Sequence, residues 1–423
     1  MLWELMVNRT VLNNGISVIS EEIGHVRSVS IGVWVRCGSC HEDSHTNGTA
    51  HFIEHMLFKG TERRSAFDIA WAIDSVGGVM NAFTGKELTA FYIKIPDYHL
   101  PLAIDILADI FNNSCFDGKE IEKEKSVIFQ EINMLEDSPD EYIHDFFDGI
   151  FWNSHPLGLP ILGTKKRLAE MNRASLSQFF RSRYRGENLI LTAAGNLKHD
   201  ELVDLADAAF GALSGDVAEE AICTPAISSR TAVLEKDLEQ VHMVIGVPAP
   251  SAISSKRHAS MLMNAVLGGA MSSRLFQEIR EKRGLAYEIQ SYLTPYTNAG
   301  MLGVYVGTDH VKIPEVMRLI LEAFGRLEDE LLDEKALLAV KEMIKGNFLL
   351  SMESTDNRMT RLARNEVYFK RHVSAEEVIA DLEAVSGEDI RNLAAEIFDP
   401  KVLSVAAIGR IKEEEIACLM HQT

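Results

Sequence analysis

The chain has 423 residues and sets 42 Lys and Arg against 62 Asp and Glu, a formal net charge of −20. That balance argues against nucleic acid or an anionic membrane as a partner. With 46% hydrophobic and 25% charged residues, the composition is that of an ordinary globular protein large enough for at least two domains. The five cysteines are an odd, scattered set, which excludes a disulfide framework and fits a reducing compartment.

The first residues, Met1-Leu-Trp-Glu-Leu-Met-Val7, lack the basic start and sustained apolar run of a signal peptide. No stretch approaches 18 uninterrupted apolar residues. A cytoplasmic protein with no membrane partner is expected. Val29–Trp34 reads as a buried strand. Cys37-Gly38-Ser39-Cys40 has metal-like spacing, but no second pair exists to complete a four-cysteine site, and reduced thiols in a strand-to-loop segment are expected.

The chemically densest stretch is His51-Phe52-Ile53-Glu54-His55. Histidines at i and i+4 stack on one helical face, close enough to share a metal ion. Glu54 follows His51 by three positions, nearly on that face, where it can take a proton from water at the metal. The H-x-x-E-H order is the inverzincin signature. Asn47 and Thr49 are candidate N-caps, and Lys59-Gly60 reads as the helix stop. By itself the motif also fits a helical His pair with no ligand, because zinc needs a third protein donor and a fourth position open to water.

Further along, Gly77-Gly78 turns into a possible edge strand through Asn81 and Ala82, followed by a strand at Phe91–Ile95 and an amphipathic helix at Leu100–Phe111. From about Lys119 to Leu135, Ile121, Ile128, Ile132 and Leu135 mark a helix. Glu124 and Glu131 lie on one face beside that stripe, while Glu122 points the opposite way. Carboxylates next to a buried stripe need a partner, and a cation is the obvious one. Spacing alone favours a partly exposed acidic helix over a ligand. Glu141 and Asp145 form another i, i+4 acidic pair, equally compatible with a solvated face.

The chain also repeats itself. Asn188-Leu-Ile-Leu-Thr-Ala-Ala-Gly195 recurs as Val402-Leu-Ser-Val-Ala-Ala-Ile-Gly409, an offset of 214 residues. Each copy follows an amphipathic helix, Leu176–Tyr184 or Ile390–Ile397. Val29–Trp34 matches His242–Val247, and Phe91–Ile95 with its following helix matches Met301–Val306 with Lys312–Leu327. Strands interleaved with helices predict an α+β domain present twice, each a mostly antiparallel sheet packed with helices. The expected division is a metal-binding domain over 1–213, a linker over 214–230, and a homologous domain over 231–423 that lacks the metal site. Where the repeat would place a second His pair, the chain reads Met261-Leu-Met-Asn-Ala-Val-Leu-Gly268.

These segments resemble the pitrilysin/insulysin family of zinc peptidases, closest to the mitochondrial processing peptidase β subunit and its bacterial relatives. Leu12-Asn-Asn-Gly15, Gly38-Ser39, Ala50–Thr61 with the His51 motif, Gly77–Thr84 and Ser273-Arg274-Leu-Phe276 through Tyr287 carry the likeness, which spans the whole chain. In that family the third ligand lies 76 residues after the second histidine, a spacing that falls on Glu131. The resemblance therefore implies one zinc per chain on His51, His55 and Glu131, with Glu54 as general base and Glu124 as a supporting carboxylate. It further implies that Arg280 and Tyr287 contact substrate near the scissile bond, that Asn81 and Ala82 lie along the substrate backbone, and that Phe58 lines the pocket after the cut. Glu141 and Asp145 would read a basic residue upstream. The implied activity is endopeptidase cleavage of extended peptides or unfolded segments by a homodimer with a shared chamber. A noncatalytic relative and a subunit dependent on a different, α-type chain are the alternatives.

Overall fold

The structure, a computed structural model, describes residues 7–215 and 223–421. Part of the expected 214–230 linker lies outside the described residues. The first half builds a six-stranded sheet from β1 (Val7–Val11), β2 (Ser17–Glu22), β3 (Ser28–Val35), β4 (Val79–Thr84), β5 (Thr89–Pro96) and β6 (Leu189–Gly195), in the order β1-β2-β6-β3-β5-β4. The second half builds five strands, β7 (Thr231–Glu235), β8 (Val241–Pro248), β9 (Ala286–Pro295), β10 (Gly300–Thr308) and β11 (Ser404–Gly409), in the order β7-β11-β8-β10-β9. Omitting β1, the two orders superimpose strand for strand. In both sheets the one parallel pair is the same: β2 with β6, and β7 with β11. Gly195 and Gly409, the repeat's landmarks, adopt nearly identical positive φ values of 145° and 144°. The repeat predicted from sequence is thus present, and the α+β class with mostly antiparallel sheets holds.

Five helices of the first half matter below: α1 (Thr49–Leu57), α2 (Ala66–Asp74), α3 (Leu100–Asn112), α4 (Gly118–Glu136) and α5 (Pro139–Phe151). One face of the first sheet and the apolar sides of α1, α3 and α4 form a single core containing Ile31, Val33, Phe52, Phe91, Leu107 and Ile128. The second sheet has its own core around Ile245, Leu262, Val304, Ile320 and Val405.

The compact units are not the two sequence halves. One comprises the chain up to Asn133, residues 159–222 and Leu349–Val373; the other comprises Met134–Gly158, Cys223–Phe348 and the chain from Ser374 onward. Each half therefore lends one helix to the other's sheet. Helix α5 packs on β8 and β11, and the helix Thr355–Phe369 packs on β2, β3 and β6. The loans use equivalent glycines, 214 residues apart, in the middle strand of each sheet. A Cβ at Gly246 of β8 would meet the Phe147 ring of α5 at 2.5 Å, and one at Gly32 of β3 would meet the Met359 sulfur at 3.2 Å. Phe147 is fully buried and stacked on Phe151, so it has nowhere to retreat. Gly246→Ala is expected to destabilise the protein by about 1–3 kcal/mol through overpacking. Adding Phe147→Leu should recover part of that loss; urea unfolding of both variants measures it.

The helix Thr355–Phe369 is also pinned by charge. Glu366, 2% exposed, accepts hydrogen bonds from Arg9 at 2.8 and 3.0 Å and from the Ser17 hydroxyl at 3.1 Å, with Arg36 at 3.7 Å. Burial alone would raise this carboxyl, but the Arg9 and Ser17 bonds and the Arg36 charge hold it below the usual 4.5. A carboxyl lowered on folding stabilises the fold above its unfolded value, and that stabilisation is lost as the pH falls through its folded one. Removing the charge leaves two guanidiniums facing a neutral amide, so Glu366→Gln should cost about 3 kcal/mol at pH 7. In paired unfolding titrations the gap between the two proteins should stay constant above pH 5 and narrow below about 4.5.

Candidate metal centre

Helix α1 carries His51, Glu54 and His55 on the face turned away from Phe52, Ile53, Met56 and Leu57, which are buried. Its start was expected to be capped by Asn47 or Thr49. Instead the N-cap is Gly48, at φ 88°, and no side chain caps from that position. The Glu42 carboxylate takes over the task. It accepts hydrogen bonds from the amides of Gly48 at 2.8 Å and Ala50 at 2.6 Å and from the Asn47 side chain at 3.2 Å. An anion at a helix start is stabilised by these unpaired N–H groups, although burial pushes the Glu42 carboxyl up to about 7 against them. Nothing in the spacing of Glu42 marks this role, which is why sequence reasoning missed it.

Helix α4 runs beside α1 and buries Ile121, Glu124, Ile128 and Ile132, while Leu135 is half-buried. This register turns Glu124 and Glu131 towards the histidines and Glu122 to solvent. His51 Nε2 stands 3.8 Å from Glu131 Oε2, and His55 Nε2 stands 3.7 Å from Glu131 Oε1. One donor atom from each of His51, His55 and Glu131 falls within 4.8 Å of the others, the one such group among the described residues. Two donors held about 2.0–2.1 Å from a tetrahedral zinc lie roughly 3.3 Å apart, and the two histidine-to-Glu131 separations of 3.8 and 3.7 Å exceed that by only a few tenths of an ångström.

The protonation states also suit a metal. Burial, with the adjacent His55 charge, lowers the His51 imidazole to about 3, leaving it neutral as a ligand must be. Glu131 Oε2 is buried and accepts no hydrogen bond, an arrangement that a cation relieves. His55 Nδ1 donates to Glu124 Oε2 at 3.0 Å, which leaves Nε2 to face Glu131. Glu124, its side chain 4% exposed, also binds Lys59 at 2.8 Å. Burial raises the Glu124 carboxyl, but these two partners hold it below its usual value. A carboxylate that orients and polarises a ligating histidine in this way is a recurrent companion of zinc. Lys59 was read from sequence only as part of a helix stop.

Glu54 accepts a hydrogen bond from the Thr84 hydroxyl at 2.5 Å. Burial raises its carboxyl above the usual value, and the Thr84 bond and His55 charge offset this only in part. Thr84 ends β4, whose outer edge is unpaired among the described residues. On that strand Asn81 is exposed and its side chain accepts from the Ala82 amide at 2.8 Å, whereas Ala82 packs against the core. Phe58 leans on Phe91 at 5.9 Å and joins the same core.

The remaining expected residues belong to the other compact unit. Arg280 lies in the π-helical segment Phe276–Lys282, and Tyr287 is near the start of β9. The Arg280 guanidinium sits 5.0 Å over the Tyr287 ring, which is 78% exposed. Glu141 and Asp145 lie on α5, Glu141 exposed and Asp145 half-buried. The helix Arg257–Leu267, the repeat's counterpart of α1, has no such acid and histidine set. None of the five cysteines is in a disulfide, and no helix among the described residues is long and apolar enough to cross a membrane.

A pair of histidines and a glutamate converging from two helices, with a raised carboxyl alongside, defines the class of H-x-x-E-H zinc-site proteins. Comparison with known proteins agrees. Residues 17–165 match the family described as insulinase (peptidase family M16), and residues 170–344 match the peptidase M16 inactive domain. The chain is 38% identical over 393 residues to YmxG, an uncharacterized zinc protease of Bacillus subtilis, covering 93% of this chain and 96% of that protein. It is 34% identical to an uncharacterized zinc protease of Streptomyces coelicolor, covering 98% and 92%. A Helicobacter pylori protease of known structure shares the fold with a TM-score of 0.89 at 21% identity, over 96% of this chain and 99% of that one. The chain belongs to the M16 peptidase family.

Proposed function

We propose that the chain is a zinc-dependent endopeptidase acting on extended peptides and unfolded protein segments. The observation that carries this reading is the convergence of His51, His55 and Glu131 next to a Glu54 carboxyl that burial makes more basic. When bound there, zinc supplies a Lewis acid that activates water and polarises the peptide carbonyl. Glu54 accepts the proton of the attacking water and returns it to the leaving amine, and the Thr84 bond keeps its carboxylate aimed for both transfers. Glu124 fixes the tautomer and orientation of His55.

The unpaired edge of β4 offers main-chain partners to a strand-like substrate at Asn81 and Ala82, with Phe58 lining the pocket after the cut. Arg280 and Tyr287 would stabilise the oxyanion. In a homodimer around a shared chamber, the pair from one chain would serve the metal centre of its partner. Glu141 and Asp145 would favour a basic residue upstream of the cut. Five cysteines without a disulfide suit a cytoplasmic setting.

The test is to incubate the zinc-loaded protein, alone, with a reduced and alkylated protein and with its folded counterpart, and to map the products by mass spectrometry. Cleavage restricted to the unfolded form supports the reading. Equal cleavage of both, or none without an added second chain type, rejects it in favour of a different substrate class or a partner-dependent subunit.

A further inference from the structure

The motif Ser273-Arg274 takes no part in the metal chemistry, yet with Arg326 and Leu319 it lines a cavity of about 340 Å³ in the second compact unit. Two of its polar groups lack partners. Ser273 is 2% exposed and its hydroxyl makes no hydrogen bond; Arg274 Nη1 is buried and donates to nothing. Arg326 forms no ion pair or side-chain hydrogen bond among the described residues, and its charge falls on Arg274.

The cavity is lined by three carboxylates and three cations, but among the described residues no carboxylate stands within hydrogen-bond distance of Arg274 or Arg326. Glu278 is bound to Lys282 and Arg283 at 3.0 and 2.9 Å, Glu322 is paired with Arg318, and Glu330 approaches Arg274 only to 3.9 Å. Burial holds the Arg274 guanidinium below its usual value; the Glu330 charge opposes this and the Arg326 charge adds to it. In a chain of net charge −20 the overall field repels anions, so any affinity for one must come from a built site such as this.

We propose that this cavity binds a small organic ligand through an oxyanion, a carboxylate or a phosphate, gripped between Arg274 and Arg326 and capped by the Ser273 hydroxyl. Guanidinium forks match both groups in bidentate fashion. The volume exceeds what an inorganic ion needs and reaches the lower range of small-molecule sites, with Leu275 and Leu319 available to cover a short carbon body.

Isothermal titration of the full-length protein with inorganic phosphate and with succinate tests this. At least one probe should saturate at one site per chain, and the stronger probe tells a phosphate-bearing from a carboxylate-bearing ligand. Arg326→Ala, at an exposed position that should not disturb folding, is expected to weaken binding by about tenfold or more; Arg274→Gln should abolish it. Failure of both probes to saturate below about 10 mM would overturn the proposal. Binding that survives Arg326→Ala undiminished would overturn it equally, since the probe would then sit elsewhere, for example at the metal centre.

Discussion

Glu54→Gln is expected to lower kcat/KM for peptide cleavage by about a hundred- to ten-thousand-fold while leaving one zinc per chain. The amide keeps the size of the carboxylate and can still accept from Thr84 Oγ1, so the wall of the site is preserved. It cannot accept the proton of the attacking water. The three expected ligand donors belong to other residues, so metal content should not follow activity. Because the Glu54 carboxyl is desolvated, neutralising it should also leave the fold as stable or slightly more so. Peptide assays, metal analysis and a thermal melt on one preparation measure all three. Retained activity would remove Glu54 from the mechanism, and loss of zinc would make it a ligand instead.

The second large effect concerns the metal itself. Glu131→Gln deletes the one anionic donor of the cluster and should abolish stoichiometric zinc at micromolar concentrations, because two neutral imidazoles make an incomplete set. Glu124→Gln should act more gently, weakening zinc about 10- to 100-fold. Glu124 touches His55 rather than the space between the three donors; the amide keeps a single acceptor oxygen for two donors, His55 and Lys59, and loses the charge that polarises the imidazole. Competition with a chromophoric chelator gives both affinities. The order is the sharp part: Glu131 must matter more than Glu124, and a reversed order would mean that the ligand and the supporting carboxylate had been exchanged.

Much of this was legible in the chain. The i, i+4 histidines and the Glu124/Glu131 register follow from helical geometry alone, and the 214-residue repeat marks three of the five strand pairs that the sheets share, β3 with β8, β5 with β10 and β6 with β11. The choice of Glu131 as third ligand needed the family spacing, since periodicity favoured Glu124 as much. Two features escaped for physical reasons. An apolar stripe shows that a helix buries one face but not which sheet receives it, so the loans of α5 and of the helix Thr355–Phe369 were invisible until Phe147 and Met359 were seen against Gly246 and Gly32. Helix capping was sought within the two residues preceding and opening α1, whereas the cap is Glu42, reached across a loop. In neither case does a local pattern encode the partner.

The account rests on the cluster of His51, His55 and Glu131 being a hydrolytic zinc centre. Titrating zinc into chelator-stripped protein while following cleavage of an unstructured fluorogenic peptide tests this most directly. Cleavage should be absent without metal, rise with each addition, and reach its plateau at one zinc per chain. A fully loaded protein that leaves the peptide intact, or cleavage that proceeds undiminished without zinc, would contradict it.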